Sequence, residues 1–355
     1  MPASEPNAIG ELTIREPDDW HLHVRDDDMM ALIAHYSARQ FARAIIMPNL
    51  VPPVTTVAAA EAYRDRILKT MPDGHRFTPL MTAYLTDEID PDEVERGHEE
   101  GVFTACKLYP AGATTNSAFG VTDVRNIHGV LERMQKIGMP LLVHGEVASK
   151  DIDIFDREAI FLEKVLGPMR SDFPDLKIVL EHITTADSVA FVQSAGTNMA
   201  ATITPHHLRI DRNALFDGGM RPHAYCLPVA KRAHHRMALR QAAVSGDPKF
   251  FLGTDSAPHP RKDKESDCGC AGIFSAPAAL ESYALTFDEE GALDKLEGFA
   301  SEFGPHFYGL PLNEGTITLK RDDLAVPDAI TSKDLSVVPF HAGETLKWRA
   351  MDRAA

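Results

Sequence analysis

His21 and His23, two histidines separated by a single residue, are the first side chains in the chain whose types and spacing could do chemistry. In an extended strand alternate residues share a face, so both imidazoles would point one way while Leu22 points the other. Imidazole nitrogens suit Zn²⁺. Alone, the pattern is equally compatible with two structural histidines, so a metal site requires further ligands elsewhere in the chain.

Such ligands follow at the ends of later apolar runs. Lys107 ends the run FTACKLY, His144 ends LLVH, His182 follows KIVLE and Asp255 follows FFLGT. The first three are each about one strand–helix unit apart, and Asp255 follows after about two units. Two further histidines and an aspartate at equivalent positions make a chance arrangement improbable and predict one shared site.

The runs themselves predict the fold. Eight β-type runs span 12–23, 43–48, 77–85, 103–109, 140–146, 177–183, 198–206 and 250–255, and several are almost continuously apolar, as in strands that are buried on both faces. Segments with helical spacing lie between them, at 57–70, 123–137, 156–166 and 231–244. Strands that alternate with helices predict a parallel sheet, and eight units favour a (β/α)₈ TIM-type barrel over a doubly wound sheet. Catalytic residues of such barrels lie at the carboxyl ends of the strands.

Chain length agrees with this architecture. A chain of 355 residues would fit one large barrel or two ordinary domains. No Pro/Gly/Ser-rich linker divides it, so we expect residues 1–355 to form a single domain, with 311–355 as a small C-terminal extension packed on the barrel.

Composition narrows the class of function. The hydrophobic fraction of 44% and charged fraction of 25% are ordinary for globular proteins, and the net charge of −16 argues against a nucleic-acid binder. We find no run of about 18 apolar residues and no signal-peptide pattern, and four cysteines are too few for a disulfide scaffold. We therefore expect a cytoplasmic protein that binds no membrane. An anionic substrate would need local cations to attract it.

Lys107 is unusual among candidate metal ligands, because an ammonium group has three donors and no acceptor. It could simply reach solvent at the rim. Alternatively, its neutral amine could react with CO₂ to form a carbamate, an anion with two oxygens that could bridge two divalent ions. The other strand-end residues assigned to the site, apart from Asp255, are neutral histidines, so a carbamate would add a needed negative charge.

Several motifs together resemble a known family. The segments DDWHLHVRD, MPNL, KLYPAGATTNS, VHGE, LEHITT, TPHHL and GTDSAPH occur in consistent order between about residues 12 and 310. They resemble the dihydroorotases of the amidohydrolase superfamily, and specifically the single-domain bacterial type. The resemblance implies reversible, zinc-dependent cyclisation of N-carbamoyl-L-aspartate to L-dihydroorotate, the third step in the biosynthesis of pyrimidines (UMP). It also implies a homodimer.

The resemblance further implies two Zn²⁺ ions in each subunit. His21 and His23 would bind one ion with Asp255, and His144 and His182 would bind the other. Carboxylated Lys107 and a hydroxide would bridge the two ions. Asp255 would also be the catalytic base.

The substrate contacts implied by the resemblance form a second set. They comprise His23, Arg25, Asn49, Thr114, Thr115, His144, Leu227, His259 and Ala271. Arg25 and Asn49 would hold the substrate carboxylate with help from His259, and the backbones of Leu227 and Ala271 would contact the ring. Thr114 and Thr115 belong to a mobile loop, residues 111–117, that would close over the substrate. Independently, Arg25 is two residues after His23 and should share its face, and its planar guanidinium suits a carboxylate.

Two alternatives stay open. A hydantoinase or dihydropyrimidinase would use the same metal chemistry on a ring without a carboxylate, for which Arg25 has no evident use. A non-catalytic scaffold would be expected to lose metal ligands, and this sequence retains all those proposed.

Some other pairs of metal-type residues receive structural interpretations. Cys268 and Cys270 resemble half of a zinc knuckle, but no second pair has the required spacing. His206 and His207 fall on a strand for which the resemblance implies no ligand. Cys106 alternates with Lys107 and should face the helices.

Overall fold

Eight parallel strands form a barrel in the computed structural model, which describes residues 9–351 and 353. A short antiparallel strand, β1 (Glu11–Arg15), precedes them outside the barrel. Neighbours in the barrel follow chain order, and hydrogen bonds between the ends of the first and last strands, including His23 N to Ser256 O at 3.2 Å, join its two edges. The predicted (β/α)₈ fold is thereby confirmed. The barrel strands are β2 (Asp18–Leu22), β3 (Arg43–Ile46), β4 (Thr78–Tyr84), β5 (Phe103–Leu108), β6 (Leu141–His144), β7 (Ile178–Glu181), β8 (Met199–Ile203) and β9 (Phe250–Leu252).

The first predicted run, 12–23, is two strands and not one. Strand β1 ends at Arg15, and β2 begins at Asp18 in a different sheet. Pro17 lies between them and has no backbone N–H to continue a ladder. Its carbonyl instead accepts a hydrogen bond from Ala42 N at 2.9 Å. Periodicity does not distinguish one long strand from two consecutive strands that belong to different sheets.

Helices cover the outside of the barrel. Their bounds are α1 (Asp27–Gln40), α2 (Val57–Lys69), α3 (Pro91–Glu99), α4 (His128–Ile137), α5 (Arg157–Phe161), α6 (Gly167–Asp172), α7 (Ala186–Ser194), α8 (Pro205–Arg209), α9 (Ala233–Val244), α10 (Arg261–Lys264), α11 (Ala279–Glu289) and α12 (Phe303–Tyr308). None of the helices in the described ranges is long and apolar enough to cross a membrane.

The predicted helical segments are helical in the structure, but two of them contain irregular turns that the sequence did not predict. The segment 123–137 begins with a 3₁₀ turn capped by Asp123. Helix α4 ends at Ile137, and the next residue, Gly138, forms a left-handed C-cap with a φ of 73°. The segment 156–166 is α5 followed by a π-helical turn, Leu162–Leu166. Local propensity predicts a helix in each case but not the irregular turns within it.

Short strands complete the C-terminal part. Strand β10 (Thr316–Lys320) pairs with β1 and with β15 (Arg349–Ala350), so the two ends of the described chain meet in one three-stranded sheet. The remaining strands pair two by two: β11 (Leu324–Ala325) with β14 (Thr345–Leu346), and β12 (Ile330–Ser332) with β13 (Leu335–Val337).

An aromatic cluster fills the amino-terminal end of the barrel. Trp20 is fully buried and stacks on Tyr308 of α12, with ring centroids 4.3 Å apart, and it meets Phe251 edge-on at 6.1 Å. Inward-facing Ile45, Leu142 and other apolar residues join this cluster. This end of the barrel is therefore closed by packing, and the polar residues gather at the opposite end.

The close approach of α12 to Trp20 generates a stability prediction. A Cβ at Gly304 would lie 1.9 Å from Trp20 Nε1. Gly304→Ala should therefore lower the free energy of unfolding by about 1–3 kcal/mol, the usual cost of overpacking. Gly129→Ala in α4 is the matched control, because no atom lies within 4 Å of its Cβ position. Urea denaturation should show the loss only for Gly304→Ala, and equal midpoints for both variants would contradict this packing.

Candidate metal and substrate site

A β-bulge in β2 directs His21 and His23 toward the mouth of the barrel. The pairing of β2 with β3 shifts register between Asp19 and Leu22, so Trp20 points into the barrel and His21 directly after it also faces inward. The amide of His21 donates to Asp19 Oδ1 at 3.1 Å. Thr254 beyond β9 donates to the same carboxylate from its N and Oγ1, at 2.8 and 2.6 Å. Burial raises the pKa of Asp19 to about 7, against the opposing effect of these hydrogen bonds.

His21, His23 and Asp255 come together as one compact group. The two Nε2 atoms are 3.2 Å apart, and they lie 3.3 and 3.2 Å from Asp255 Oδ1. All three residues are buried. Ligand atoms around a tetrahedral Zn²⁺ with bonds of about 2.0–2.1 Å would be about 3.3 Å apart. The spacing of these three atoms therefore fits a single metal ion.

His144 and His182 lie beside this group. Their ring centroids are 4.8 Å apart, and the ring of His182 is 5.0 Å from that of His21. His144 Nε2 is 2.9 Å from Glu146 Oε2, which leaves Nδ1 for another partner. His182 is buried, and its Nδ1 has no hydrogen-bond partner among the described residues. An unpartnered buried imidazole nitrogen is costly unless a ligand occupies it, so the second group also fits a metal.

Three residues around the site have a strained backbone conformation. His182 and Asp255 both have a φ of 43°, and Arg25 has a φ of 58°. Such values cost non-glycine residues free energy and persist where the surroundings enforce them. For His182 and Asp255, each just beyond a strand end, the conformation turns the side chain toward the barrel axis.

Lys107 is completely buried in the barrel and does not reach solvent. Its amine contacts Glu181, the last residue of β7, and lies 4.8 Å from the ring centroid of Tyr109. Burial lowers the pKa of Lys107 well below its ordinary value, against the opposing effect of the negative charge of Asp255. A lysine with a lowered pKa offers a neutral amine, which is the form that reacts with CO₂.

Glu181 is a component of the site that the strand-end pattern missed. The expectation that Asp255 is the one carboxylate among the strand-end groups is wrong, because Glu181 is buried and its Oε1 lies 3.0 Å from His21 Nδ1. Alternation along β7 places Glu181 on the same face as inward-pointing Val179, but the same alternation would place His182 on the opposite face. With Nδ1 of His21 facing Glu181, Nε2 is left to face His23 and Asp255.

The charge states of the candidate metal ligands follow from their burial and their neighbours. Burial lowers the pKa of His23 to about 3 and that of His182 well below its ordinary value, so both imidazoles are neutral and can act as ligands. Burial alone would raise the pKa of Asp255, but the charge of His21 and hydrogen bonds from His21 and His23 hold it well below the ordinary value. Asp255 is therefore ionised at neutral pH.

Arg25 faces the same cavity as the candidate metal ligands. Its Nε donates to the Pro258 carbonyl at 3.0 Å, and its Nη2 lies 3.1 Å from His259 Nε2. His259 Nε2 is also 3.0 Å from the Ala271 carbonyl, so that nitrogen can satisfy only one of the two neighbours at a time. No carboxylate of the described residues forms an ion pair with Arg25, which leaves a half-buried cation available for an anionic ligand.

The loop containing Thr114 and Thr115 covers this cavity. Asn49 Nδ2 donates to the Thr115 carbonyl at 3.1 Å, and Thr115 Oγ1 donates to the Ala271 carbonyl at 3.3 Å. The walls of the cavity bring together most residues predicted for the site, namely His21, His23, Arg25, Asn49, Thr114, Thr115, His144, His182, Leu227, Asp255 and Ala271. Lys107 and His259 are not part of these walls, but Lys107 contacts Glu181 and His259 contacts Arg25.

Tyr109 also lines the cavity and was not anticipated. It is buried, and its hydroxyl has no partner among the described residues. Its position two residues after Lys107 was the available signal, because it places the ring on the same face of the strand.

His206, His207 and Cys226 form a further buried group. His207 is hydrogen-bonded by Thr204 at 2.8 Å and lies 3.1 Å from the Pro228 carbonyl, which supports a structural role. Cys106 packs against Met139 on the helix side of β5, as expected from its alternation with Lys107.

Comparison with known proteins gives one family. The model of the amidohydrolase family matches residues 18–331. The dihydroorotase of Sphingopyxis alaskensis is 67% identical over 338 residues, which cover 95% of this chain and 98% of that protein. These matches confirm the resemblance carried by the sequence motifs.

Solved structures of dihydroorotases share the fold of this chain. A dihydroorotase from Campylobacter jejuni has a TM-score of 0.88 and 40% identity, over 96% of this chain and 97% of that one. A Saccharomyces cerevisiae dihydroorotase in complex with 5-fluoroorotic acid has a TM-score of 0.90 and 34% identity, over 98% of this chain and 100% of that one.

The contact between Glu181 and Lys107 generates a test that needs no metal. In the metal-free protein, Glu181→Gln removes the charge that the buried amine and His21 Nδ1 share. We expect the free energy of unfolding to fall by about 1–3 kcal/mol, the usual cost of poorly satisfied buried polar groups. Urea denaturation in the presence of a chelator measures it. Glu163→Gln, at an exposed position, is the control and should show no change. A wild-type midpoint for Glu181→Gln would show that this carboxylate does not stabilise the site.

Proposed function

Because the chain belongs to the amidohydrolase family, we propose that it is a metal-dependent cyclic amide hydrolase that interconverts N-carbamoyl-L-aspartate and L-dihydroorotate. The reaction would be the third step of pyrimidine biosynthesis. The observation that carries the substrate assignment is Arg25, a cation without an anionic partner in the cavity that holds the histidine–aspartate cluster.

The charge of the substrate supports this choice over a hydantoinase or dihydropyrimidinase. In a chain with a net charge of −16, an anionic substrate needs a specific cationic partner. Both substrate forms carry a carboxylate, which Arg25 and Asn49 would hold with help from His259. Hydantoins and dihydropyrimidines lack that carboxylate and would leave Arg25 unpaired in the closed cavity.

The metal assignment is likewise a proposal that the donor set supports. His21, His23 and Asp255 would hold one Zn²⁺, and His144 and His182 would hold a second, with carboxylated Lys107 shared between them. When bound, the zinc ions would polarise the ring amide carbonyl and lower the pKa of a bound water toward neutrality.

The protein's own groups supply positioning and proton transfer. Arg25 and Asn49 fix one end of the substrate, and the backbones of Leu227 and Ala271 flank the ring. Asp255, ionised and buried beside His21 and His23, accepts the proton of the attacking water and delivers it to the leaving amide nitrogen. Thr114 and Thr115, in the loop above the cavity, exclude bulk water during the reaction. In the reverse direction the same groups act in the opposite order.

The wider setting is proposed from the resemblance and the composition. We propose that residues 1–355 act as one domain, with 311–355 as its extension, in a cytoplasmic homodimer. The small number of cysteines supports a reducing compartment.

The carbamate proposal is tested at Lys107. Lys107→Ala should abolish most activity and lower the zinc content, because the two cations would lose the anion they share. A short carboxylic acid at high concentration should restore part of the rate by occupying the vacated space. The measurements are the turnover of N-carbamoyl-L-aspartate and of L-dihydroorotate, and the zinc content of the purified protein. Lys136→Ala, at an exposed position, is the matched control. Full metal content together with normal turnover in Lys107→Ala would overturn the carbamate.

The role of Asp255 is tested by a nearly isosteric change. Asp255→Asn cannot accept a proton near neutral pH, so kcat in the hydrolytic direction should fall by about 10²–10⁴-fold. The variant should also lose the limb of the pH–rate profile that belongs to this carboxyl group. Zinc content must be measured in parallel, because the amide is also a poorer ligand. Asp217→Asn, at an exposed position, is the control. Wild-type turnover in a zinc-loaded Asp255→Asn protein would exclude the assigned role.

The substrate assignment is tested at Arg25. Arg25→Met leaves the substrate carboxylate without its partner, which commonly costs about 2–5 kcal/mol. That corresponds to a loss in kcat/KM of about 30-fold to several thousand-fold for L-dihydroorotate. Dihydrouracil, which has no carboxylate, should be affected far less. Equal losses for both substrates would mean that Arg25 supports the metal site or the fold, and the substrate would have to be reassigned.

A further inference from the structure

The turn at residues 266–272 carries two thiols, and its last two residues, Ala271 and Gly272, line the cavity of the candidate site. Cys268 is exposed and Cys270 is half-buried, and their Sγ atoms lie 2.9 Å apart. Cys106 and Cys226, by contrast, are buried. No third histidine, cysteine or carboxylate among the described residues joins the Cys268–Cys270 pair as a metal-binding group. The pair is therefore better suited to thiol chemistry than to metal binding.

The two thiols have different reactivity. A hydrogen bond from Cys270 lowers the pKa of Cys268, whereas burial raises the pKa of Cys270 to about 11. The thiolate is the attacking form in thiol–disulfide exchange, so exposed Cys268 would react first. Cys270 is close enough to act as the resolving thiol.

We propose that Cys268 and Cys270 form a reversible disulfide by exchange with small-molecule disulfides, and that this bond restrains the turn that shapes the substrate cavity. In the first step the Cys268 thiolate attacks one sulfur of the small disulfide, which forms a mixed disulfide and releases one small thiolate. The Cys270 thiolate then attacks Cys268 Sγ, which forms the intramolecular bond and releases the second small thiolate. Two electrons pass from the protein thiols to the small disulfide, and the two protons end on the released thiols.

Backbone contacts connect this turn to the cavity. Lys264 Nζ donates to the carbonyls of Cys270 and Gly272, at 2.8 and 2.9 Å, and so fixes the residues on both sides of Ala271. The Ala271 carbonyl lies 3.0 Å from His259 Nε2 and accepts from Thr115 Oγ1. A movement of Cys270 therefore shifts the Ala271 carbonyl. This carbonyl contacts Thr115 in the loop above the cavity and His259, which contacts Arg25.

The turn has little room to absorb such a movement. Gly269, Cys270 and Gly272 have φ values of 63°, 29° and 154°. At Gly272 a Cβ would lie only 2.4 Å from the Ala257 carbonyl. To form the bond, the Sγ atoms must close from 2.9 Å to about 2.0 Å, and in the proposed disulfide the backbone of Cys270 supplies part of this movement. Exposed or strained disulfides of this kind are the easily reduced, regulatory ones.

The test uses the zinc-loaded, full-length protein, equilibrated with mixtures of reduced and oxidised glutathione. Rapid alkylation followed by peptide mass spectrometry should show a Cys268–Cys270 disulfide in the oxidised sample and free thiols at Cys106 and Cys226. The kcat/KM for L-dihydroorotate should fall by about tenfold or more, because displacements of about 1 Å in positioning groups can cost about 100-fold. Dithiothreitol should restore it fully. Formation of the bond does not depend on the proposed function, whereas the kinetic consequence does.

Cys268→Ser is the matched variant, because it removes the attacking thiol from a residue outside the proposed catalytic and binding groups. Its activity when reduced should equal that of the wild type, and oxidised glutathione should leave it unchanged. Zinc content is measured before and after oxidation. The proposal is overturned if the two cysteines stay reduced or stop at mixed disulfides, if the disulfide forms without a change in kcat/KM, or if the loss of activity follows the loss of zinc.

Discussion

Water is largely excluded from the carboxyl end of this barrel, and the buried polar groups there must therefore satisfy one another or a ligand. His21, His23, His182, Lys107, Glu181 and Asp255 are all buried. In such surroundings an imidazole is held neutral and a lysine amine loses its proton more easily, both because burial penalises the charged form. The same burial that would destabilise an isolated charge thus prepares neutral nitrogen ligands and a reactive amine.

Local backbone geometry brings these buried polar groups close enough to interact with one another or with a shared ligand. The bulge in β2 lets Trp20 close the amino-terminal end of the barrel while His21 and His23, immediately after it, face the mouth. Positive φ angles at His182 and Asp255 turn two further side chains inward just beyond their strand ends. The cost of these conformations is offset by packing of the surrounding barrel, which agrees with the general observation that strained residues cluster at functional sites.

Periodicity and strand-end chemistry were enough to predict the barrel and to bring its candidate histidine ligands and Asp255 to one end. Other residues that line the cavity, such as Asn49, Thr115 and Ala271, were implied only by the family resemblance. Periodicity did not separate β1 from β2, because both segments are extended and only their partners differ. The strand-end pattern also missed Glu181. It selects one polar residue at the end of each apolar run, and for β7 that residue is His182, directly after Glu181. The inward direction of Glu181 depends on the register of β7, and that of His182 depends on an unusual φ angle, so a single sequence does not reveal that two consecutive residues both contribute to the site.

The electrostatics of the cavity connect this arrangement to substrate choice. A net charge of −16 repels anions over most of the surface, so attraction must come from the few cations within the mouth. Arg25 is supported by neutral acceptors, the Pro258 carbonyl and the His259 ring, which orient its guanidinium without neutralising its charge. A carboxylate in the same position would have paired with Arg25 and removed that attraction. The cavity therefore presents a preoriented cation beside a cluster of neutral histidines and the Asp255 carboxylate, and such a site favours a substrate whose carboxylate lies a short distance from the bond to be broken.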